Sequence, residues 1–224
     1  MAPVSVSEAV RRRKSVRAFL PTPVDREVIE DVLTRATRAA SGGNLQPWVL
    51  YVLTGESMAR FRALMEGRLA DNPMGEAPDY AVYPPDLKEP YRTRRFEIGE
   101  AMYSQLGIPR GEKFARLQWL QSNYRFFGAP AALFCFTDRV MGPPQWSDLG
   151  MLLATAMLLF QERGIDTCPQ EAWSRWPKTV AEFVGAPPEL MLFCGMAIGH
   201  ADAAAAVNQL QSPRAPTVEV IHFV

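Results

Sequence analysis

Apolar residues recur at helical spacing early in the chain. Val28, Ile29, Val32, Leu33 and Ala36 fall three and four residues apart, which predicts a helix from about Asp25 to Ala39 with one face turned inward. The same pattern places Met58, Phe61, Met65 and Leu69 on one side of a helix from Ser57 to Leu69. A shorter helix is expected to start near Ser5 or Ser7, both good N-caps, and to end near the basic run 11–14, where cations suit a helix C-terminus.

Uninterrupted apolar runs read differently. Trp48 to Leu53, 131–137 behind Pro130, and Leu190 to Ile198 are short and predict strands, the last two buried, and Ile165 to Cys168 after Gly164 predicts one more short strand. Residues 147–163 are apolar nearly all round and predict a central helix stopped by Gly164. Helices are also expected at 91–106 and 111–126, parted by Gly107-Ile108-Pro109, and near 178–184 before Gly185. Residues 71–90 hold five prolines with Tyr80 and Tyr83, too proline-rich for regular structure and too aromatic for a plain linker. They read as an ordered excursion over a pocket. The tail, 217–224, is strand-like and too apolar to hang free, so it is expected to pair with a sheet edge, its own or a partner's. The sum is four or five strands with interspersed helices, an α+β layer architecture.

At 224 residues the chain fits one large domain with an insertion, and 48% apolar against 21% charged residues allows a sizeable core. Twenty-four Lys and Arg balance twenty-four Asp and Glu, which argues against bulk nucleic acid or an anionic membrane as the main partner. The three cysteines are an odd number, and Cys135 and Cys194 sit inside apolar runs, a usage that suits a reducing cytoplasm. No export signal is visible, and the longest apolar run, Leu149 to Phe160, is short of the roughly 20 residues a membrane helix needs.

The familiar phosphate loop, dinucleotide fingerprint, zinc-helix, Cys-pair and nucleophile-elbow motifs are missing. His200 and His222 lie in no metal or nucleophile pattern and read as structural, so no metal is expected. Chemistry carried by a cofactor remains. Arg13 and Arg17 are four apart, with Ser15 between them, and share a face if the first helix persists. Two readings fit: a grip on a phosphate, whose oxygens an Arg fork binds in pairs, or a solvated basic run beside a helix end.

The stretch Arg13-Lys14-Ser15-Val16-Arg17-Ala18-Phe19, then Pro23-Val24, a helix, and Ala40-Ser41-Gly42-Gly43-Asn44-Leu45-Gln46-Pro47-Trp48 resembles the N-terminal signature of the FMN-dependent nitroreductase family. Gly164 to Glu171 resembles the family's flavin-edge segment, and Gly195 to Gly199, Asn208 and Arg214-Ala215-Pro216 its C-terminal pattern. The resemblance spans the chain and is strongest to the nitrobenzoate-reductase-like branch. It implies a nitroreductase-like fold: a central, mostly antiparallel sheet flanked by helices, in an intertwined homodimer with FMN at the interface.

Carried over by position, Arg13, Lys14, Ser15 and Arg17 hold the FMN phosphate and ribityl chain, with Arg214 adding a second cation. Ser41, Gly42 and Asn44 come from the other subunit. Pro169, Gln170 and Glu171 run along the isoalloxazine, where a backbone N–H near Glu171 donates to N5. No side chain is expected to act as catalyst. Where the family often has glycine after the acidic residue, this chain has Ala172. The implied reaction is ping-pong hydride transfer, with NADH or NADPH as donor and a nitroaromatic compound, nitrobenzoate included, reduced to a hydroxylamine. An insertion at about 66–128 within a single domain, 1–224, is expected to choose the substrate through Tyr83, Tyr91 and Arg95. Within the same fold the chemistry is also open to dehalogenation, enone or quinone reduction, flavin consumption, or non-catalytic flavin binding.

Overall fold

In the computed structural model, which describes residues 4–224, one antiparallel sheet organises the chain. Its strands are β1 (Val49–Thr54), β2 (Ala131–Asp138), β3 (Asp166–Gln170) and β4 (Leu190–Gly199), in the order β1-β2-β4-β3. The two central strands are covered on both faces, which is why they read as continuous apolar runs. Side chains still alternate. Ala132, Phe134 and Phe136 enter one core with Phe61, Phe126 and Trp173, while Ala131, Leu133 and Cys135 enter a second with Ile29, Leu149 and Phe160.

The helices are α1 (Val6–Arg12), α2 (Arg26–Ala36), α3 (Gly55–Asp71), α4 (Tyr91–Gln105), α5 (Lys113–Gln121), α6 (Pro143–Glu162), α7 (Pro177–Val184) and α8 (Thr217–Val220). The predicted inward faces of α2 and α3 are the buried ones: Ile29, Val32, Leu33 and Ala36 in one, Met58, Phe61, Met65 and Leu69 in the other. Helix α6 starts at Pro143, four residues before the predicted start, because proline fits a first helical turn whose amides need no carbonyl partner. Among the described residues no helix is long and apolar enough to cross a membrane.

Three expectations are corrected. The helix predicted at 111–126 ends at Gln121, and Ser122–Gly128 form a 3-10 segment in which Phe126 and Phe127 take φ of 51° and 52°. This kink buries Tyr124, Phe126 and Phe127 in the core, a gain that outweighs continuing the helix. The tail is not a strand in this chain. Thr217–Val220 form one helical turn closed by Ile221 N–H on Thr217 O, and among the described residues the tail makes no pairing with the sheet. With no strand partner for the tail among the described residues, the local bond satisfies its backbone instead. Finally, α1 stops at Arg12, so Arg13 to Arg17 share no helical face. Instead Ser15 bridges Thr167 in parallel, and Val16 N–H bonds Thr167 O at 3.0 Å. An extended strip puts Arg13, Ser15 and Arg17 on one side by its period of two.

Residues 72–90 form no regular element, yet their first half is held firmly. The Glu76 carboxylate accepts from Lys178 N–H at 2.8 Å, from Thr179 N–H at 3.2 Å and from Thr179 Oγ1 at 2.6 Å, which caps α7 from 102 residues away. Arg175 donates to Met74 O, Arg139 pairs with Asp79, and the Tyr80 hydroxyl donates to Phe193 O.

Candidate functional site

The N-terminal strip is aligned by one buried amide. Asn208 Oδ1 accepts the Arg17 N–H at 2.8 Å, and its Nδ2 donates to Ala18 O at 2.8 Å and Asp202 O at 2.9 Å. On the strip's other side Val16 is fully buried, and Lys14 Nζ donates to the Asn208 carbonyl. The Lys14 ammonium is therefore engaged with backbone, whereas Arg13 and Arg17 have no carboxylate partner among the described ion pairs.

β3 lies beside this strip and leads into the 3-10 turn Glu171–Arg175. Together with Arg17 they form one wall of a cavity of about 710 Å³, whose lining includes Cys168, Pro169, Gln170 and Glu171. The excursion supplies Tyr80 and Tyr83, α4 supplies Arg95, and α5 supplies Leu117 and Leu120. The Arg95 guanidinium lies 4.0 Å from the centre of the Tyr83 ring, a cation–π contact at the cavity wall.

The β3 edge is fixed from behind. Gln170 is buried, and its Nε2 donates to Asn123 O at 2.8 Å while its Oε1 accepts from Trp173 Nε1 at 3.4 Å. Its side chain thus turns into the fold and only its backbone edge is left for a ligand. Trp173 lies against β4 at Gly195, where an added Cβ would come within 2.4 Å of the Trp173 Cδ1. Ala172 has no left-handed φ, so the backbone at this edge does not require glycine. Partial burial raises the Glu171 carboxyl above the usual range, and burial raises the Tyr80 hydroxyl as well, with Glu171 nearby adding to the effect.

Arg17, Pro169, Gln170, Glu171, Tyr83 and Arg95 thus converge on one cavity. Other expected site residues stand elsewhere. Arg214 lines an adjoining cavity of about 620 Å³ that shares Tyr83 and Arg95 with the first, and among the described residues its guanidinium bonds only Ser212 and Pro213. Tyr91, at the first position of α4, is 61% exposed and lines neither cavity. Ser41, Gly42 and Asn44 lie in a separate 3-10 loop held to α6. Among the described residues no group of three or more His, Cys, Asp or Glu is placed to hold a metal ion.

Sequence reasoning missed Glu76, Asn123 and Asp148 as organisers of the site. Only Asp148 left a trace: it is an acid one residue inside a run predicted to be apolar nearly all round.

The model of the nitroreductase family matches residues 10–200. The chain is 36% identical to a 4-nitrobenzoate reductase of Pseudomonas putida over 215 residues, 96% of this chain and 93% of that one. It is 34% identical to a chloronitrobenzene nitroreductase of Comamonas testosteroni, covering 98% and 96%. Among solved structures it resembles the FMN and NADPH-dependent nitroreductase NfnB of Sphigopyxis sp. strain HMH, at 46% identity, a TM-score of 0.94 and coverage of 98% and 99%.

Proposed function

This chain belongs to the nitroreductase family, and from that premise we propose that it is an FMN-dependent, NAD(P)H-driven reductase of nitroaromatic compounds, nitrobenzoate among them. The observation that carries the reading is the convergence of Arg17 with the Cys168–Glu171 strip on one cavity bounded by Tyr83 and Arg95.

The residues present fit the cofactor. A cavity of about 710 Å³ lies within the range that accommodates a ring system of this size. Its wall offers a flat backbone edge, and the first amides of the 171–175 turn have no intrahelical acceptor, which suits donation from the Glu171 N–H. Arg13, Ser15 and Arg17 present a cationic, hydroxyl-bearing edge for a phosphate and polyol. When bound, FMN supplies two-electron transfer from the nicotinamide to the nitro group at N5.

The protein's part is positioning and electrostatics. Arg17 and Glu171 frame the ring edge, Leu117 and Leu120 exclude water, and Tyr83 with Arg95 receives the second substrate. The Arg95 guanidinium selects a carboxylate-bearing ring by a charge-assisted hydrogen bond, and Tyr83 stacks on it. Residues 66–128 act as the substrate-covering insertion within a single domain. Ser41, Gly42 and Asn44 serve the flavin of the second subunit in a homodimer. Supporting this, exposed apolar residues lie on α1 (Val6, Val10), at Leu45 beside that loop, and on the tail (Val218, Ile221, Phe223).

An anaerobic visible spectrum series tests the reading: as isolated, after NADH or NADPH, then after 4-nitrobenzoate. Flavin absorbance that bleaches and returns with the nitro compound is the expected result. Absence of flavin uptake after incubation with FMN overturns it, as does bound flavin that neither nucleotide bleaches.

A further inference from the structure

A buried carboxylate shapes the loop that precedes β1. Asp148, on α6, is only 4% exposed and belongs to no ion pair among the described residues. Its Oδ2 accepts from Ser41 Oγ at 3.0 Å and from Gly42 N–H at 3.1 Å. Because the Ser41 proton is committed to Asp148, the hydroxyl is left as an acceptor, and it takes the Gln46 N–H at 2.8 Å. One carboxylate oxygen therefore closes the loop on itself through a single serine. The closed form holds Gly43, Asn44 and Gln46 at φ of 58°, 57° and 49°. Two of these are not glycine, and left-handed backbone at such residues persists only where surrounding bonds over-determine it. Asn44 and Gln46 stay exposed, on the outer side of the loop from the buried anchor.

We propose that Asp148 is a positioning residue for flavin binding and that it acts across the dimer: through Ser41 and Gly42 it sets the loop that presents Asn44 to the flavin held by the other subunit. The inference rests on the homodimeric flavoenzyme reading. It assigns Ser41 to loop closure and leaves Asn44 as the loop's direct contact.

The test uses the full-length dimer, depleted of flavin and titrated with FMN by fluorescence quenching. Asp148→Ala weakens FMN binding at least tenfold. Asp148→Asn, which keeps one accepting oxygen, loses less, and Ser41→Ala, which removes the relay to Gln46, weakens binding without altering α6. These two variants decide the matter if Asp148→Ala fails to fold. Lowered melting temperature with unchanged FMN affinity in all three variants overturns the proposal, since that is what a purely structural acid would give.

Mixed dimers decide whether the effect crosses subunits. Pairing an Asp148→Ala chain with an Arg17→Ala chain leaves one site with both its own strip and its neighbour's loop intact. One tight FMN per mixed dimer is expected, at a concentration where neither parent homodimer binds. No tight site in the mixed dimer shows that Asp148 serves its own subunit and overturns the cross-subunit role. Wild-type protein that binds no FMN overturns the flavoenzyme reading itself, and this inference with it; a flavin-binding wild type with indifferent variants overturns the inference alone.

Discussion

Asn208 and Arg17 are joined by a 2.8 Å hydrogen bond from the Arg17 backbone amide to the Asn208 side-chain oxygen, across 191 residues of sequence. The same amide group donates to Ala18 O and Asp202 O, so one buried side chain fixes both the cationic strip and the chain that returns to it. Replacing Asn208 with Leu strands the Arg17 N–H, while Ala18 O and Asp202 O each keep a backbone donor, from Asp202 and Ala205. The expected cost is about 1 to 3 kcal/mol of stability, with weaker FMN retention. Urea unfolding of the flavin-free protein measures the first, and FMN titration the second.

Gly195→Ala places a methyl group against a Trp173 ring that cannot retreat. Phe126 and Phe134 stand with ring centres 4.7 Å and 5.1 Å from that indole. Gly195 has no left-handed φ, so the effect is steric alone. A loss of roughly 1 to 3 kcal/mol is expected, accompanied by a shift in tryptophan emission. Unchanged stability would mean that the 171–175 turn moves freely.

Alkaline pH tests the three buried thiols. Burial pushes Cys135 up to about 12 and Cys168 up to about 11, and raises Cys194 as well. The unfolded chain loses these protons near the ordinary thiol value of about 8.5 while the folded chain retains them. Each thiol's stabilising contribution is therefore whole below that value and declines as pH rises toward the folded pKa, by about 1.4 kcal/mol per pH unit. Urea midpoints that fall between pH 8 and 10.5, less steeply in Cys135→Ala, are the expected result. A thiol reagent at pH 8 should label none of the three in native protein and all of them in guanidinium.

The Arg95→Glu substitution reports on substrate choice. Selectivity for 4-nitrobenzoate over nitrobenzene is expected to fall on the order of tenfold, because a carboxylate then faces a carboxylate. Competitive turnover of the two compounds reads this directly. Equal selectivity in the variant removes Arg95 from the substrate site.

Glu76→Ala loosens the excursion at a residue that does not itself line the cavity. The amides of Lys178 and Thr179 lose their cap, an effect of about 1 kcal/mol, and residues 72–80 lose their hold on α7. Faster hydrogen exchange confined to that segment is the expected signature. Exchange that stays slow would show that Tyr80 and Arg139 are sufficient anchors.

Much of this architecture was legible from local pattern. The buried faces of α2 and α3 follow from residue spacing, and the apolar runs of β2 and β4 follow from coverage on both faces. What escaped sequence reading depends on partners distant in the chain. Nothing near Arg13 says that Thr167 will draw the strip straight, nor does anything near Ser122 say that three aromatics will kink the backbone to reach the core. Asp148 and Glu76 each do their work more than 100 residues away. The tail reads as a strand because its side chains suit one, but strand formation needs an edge, which composition does not encode. For the cavity, the flavin-edge segment and Arg17 were foreseen, while Arg214 faces a neighbouring space.

The strand order has a consequence for how the chain comes off the ribosome. β4 lies between β2 and β3, yet it is the last of the four to be synthesised. Until residues 190–199 emerge, β2 has one bare edge and β3 has no neighbour in the sheet, while the strip at Ser15 waits for Thr167 and Asn208. Nascent chains of this protein can pair β1 with β2 once Asp138 is made, but β2 keeps a bare edge, and β3 stays unpaired, until β4 follows. Such late closure, dominated by contacts far apart in sequence, favours slow folding and a need for chaperone cover during synthesis.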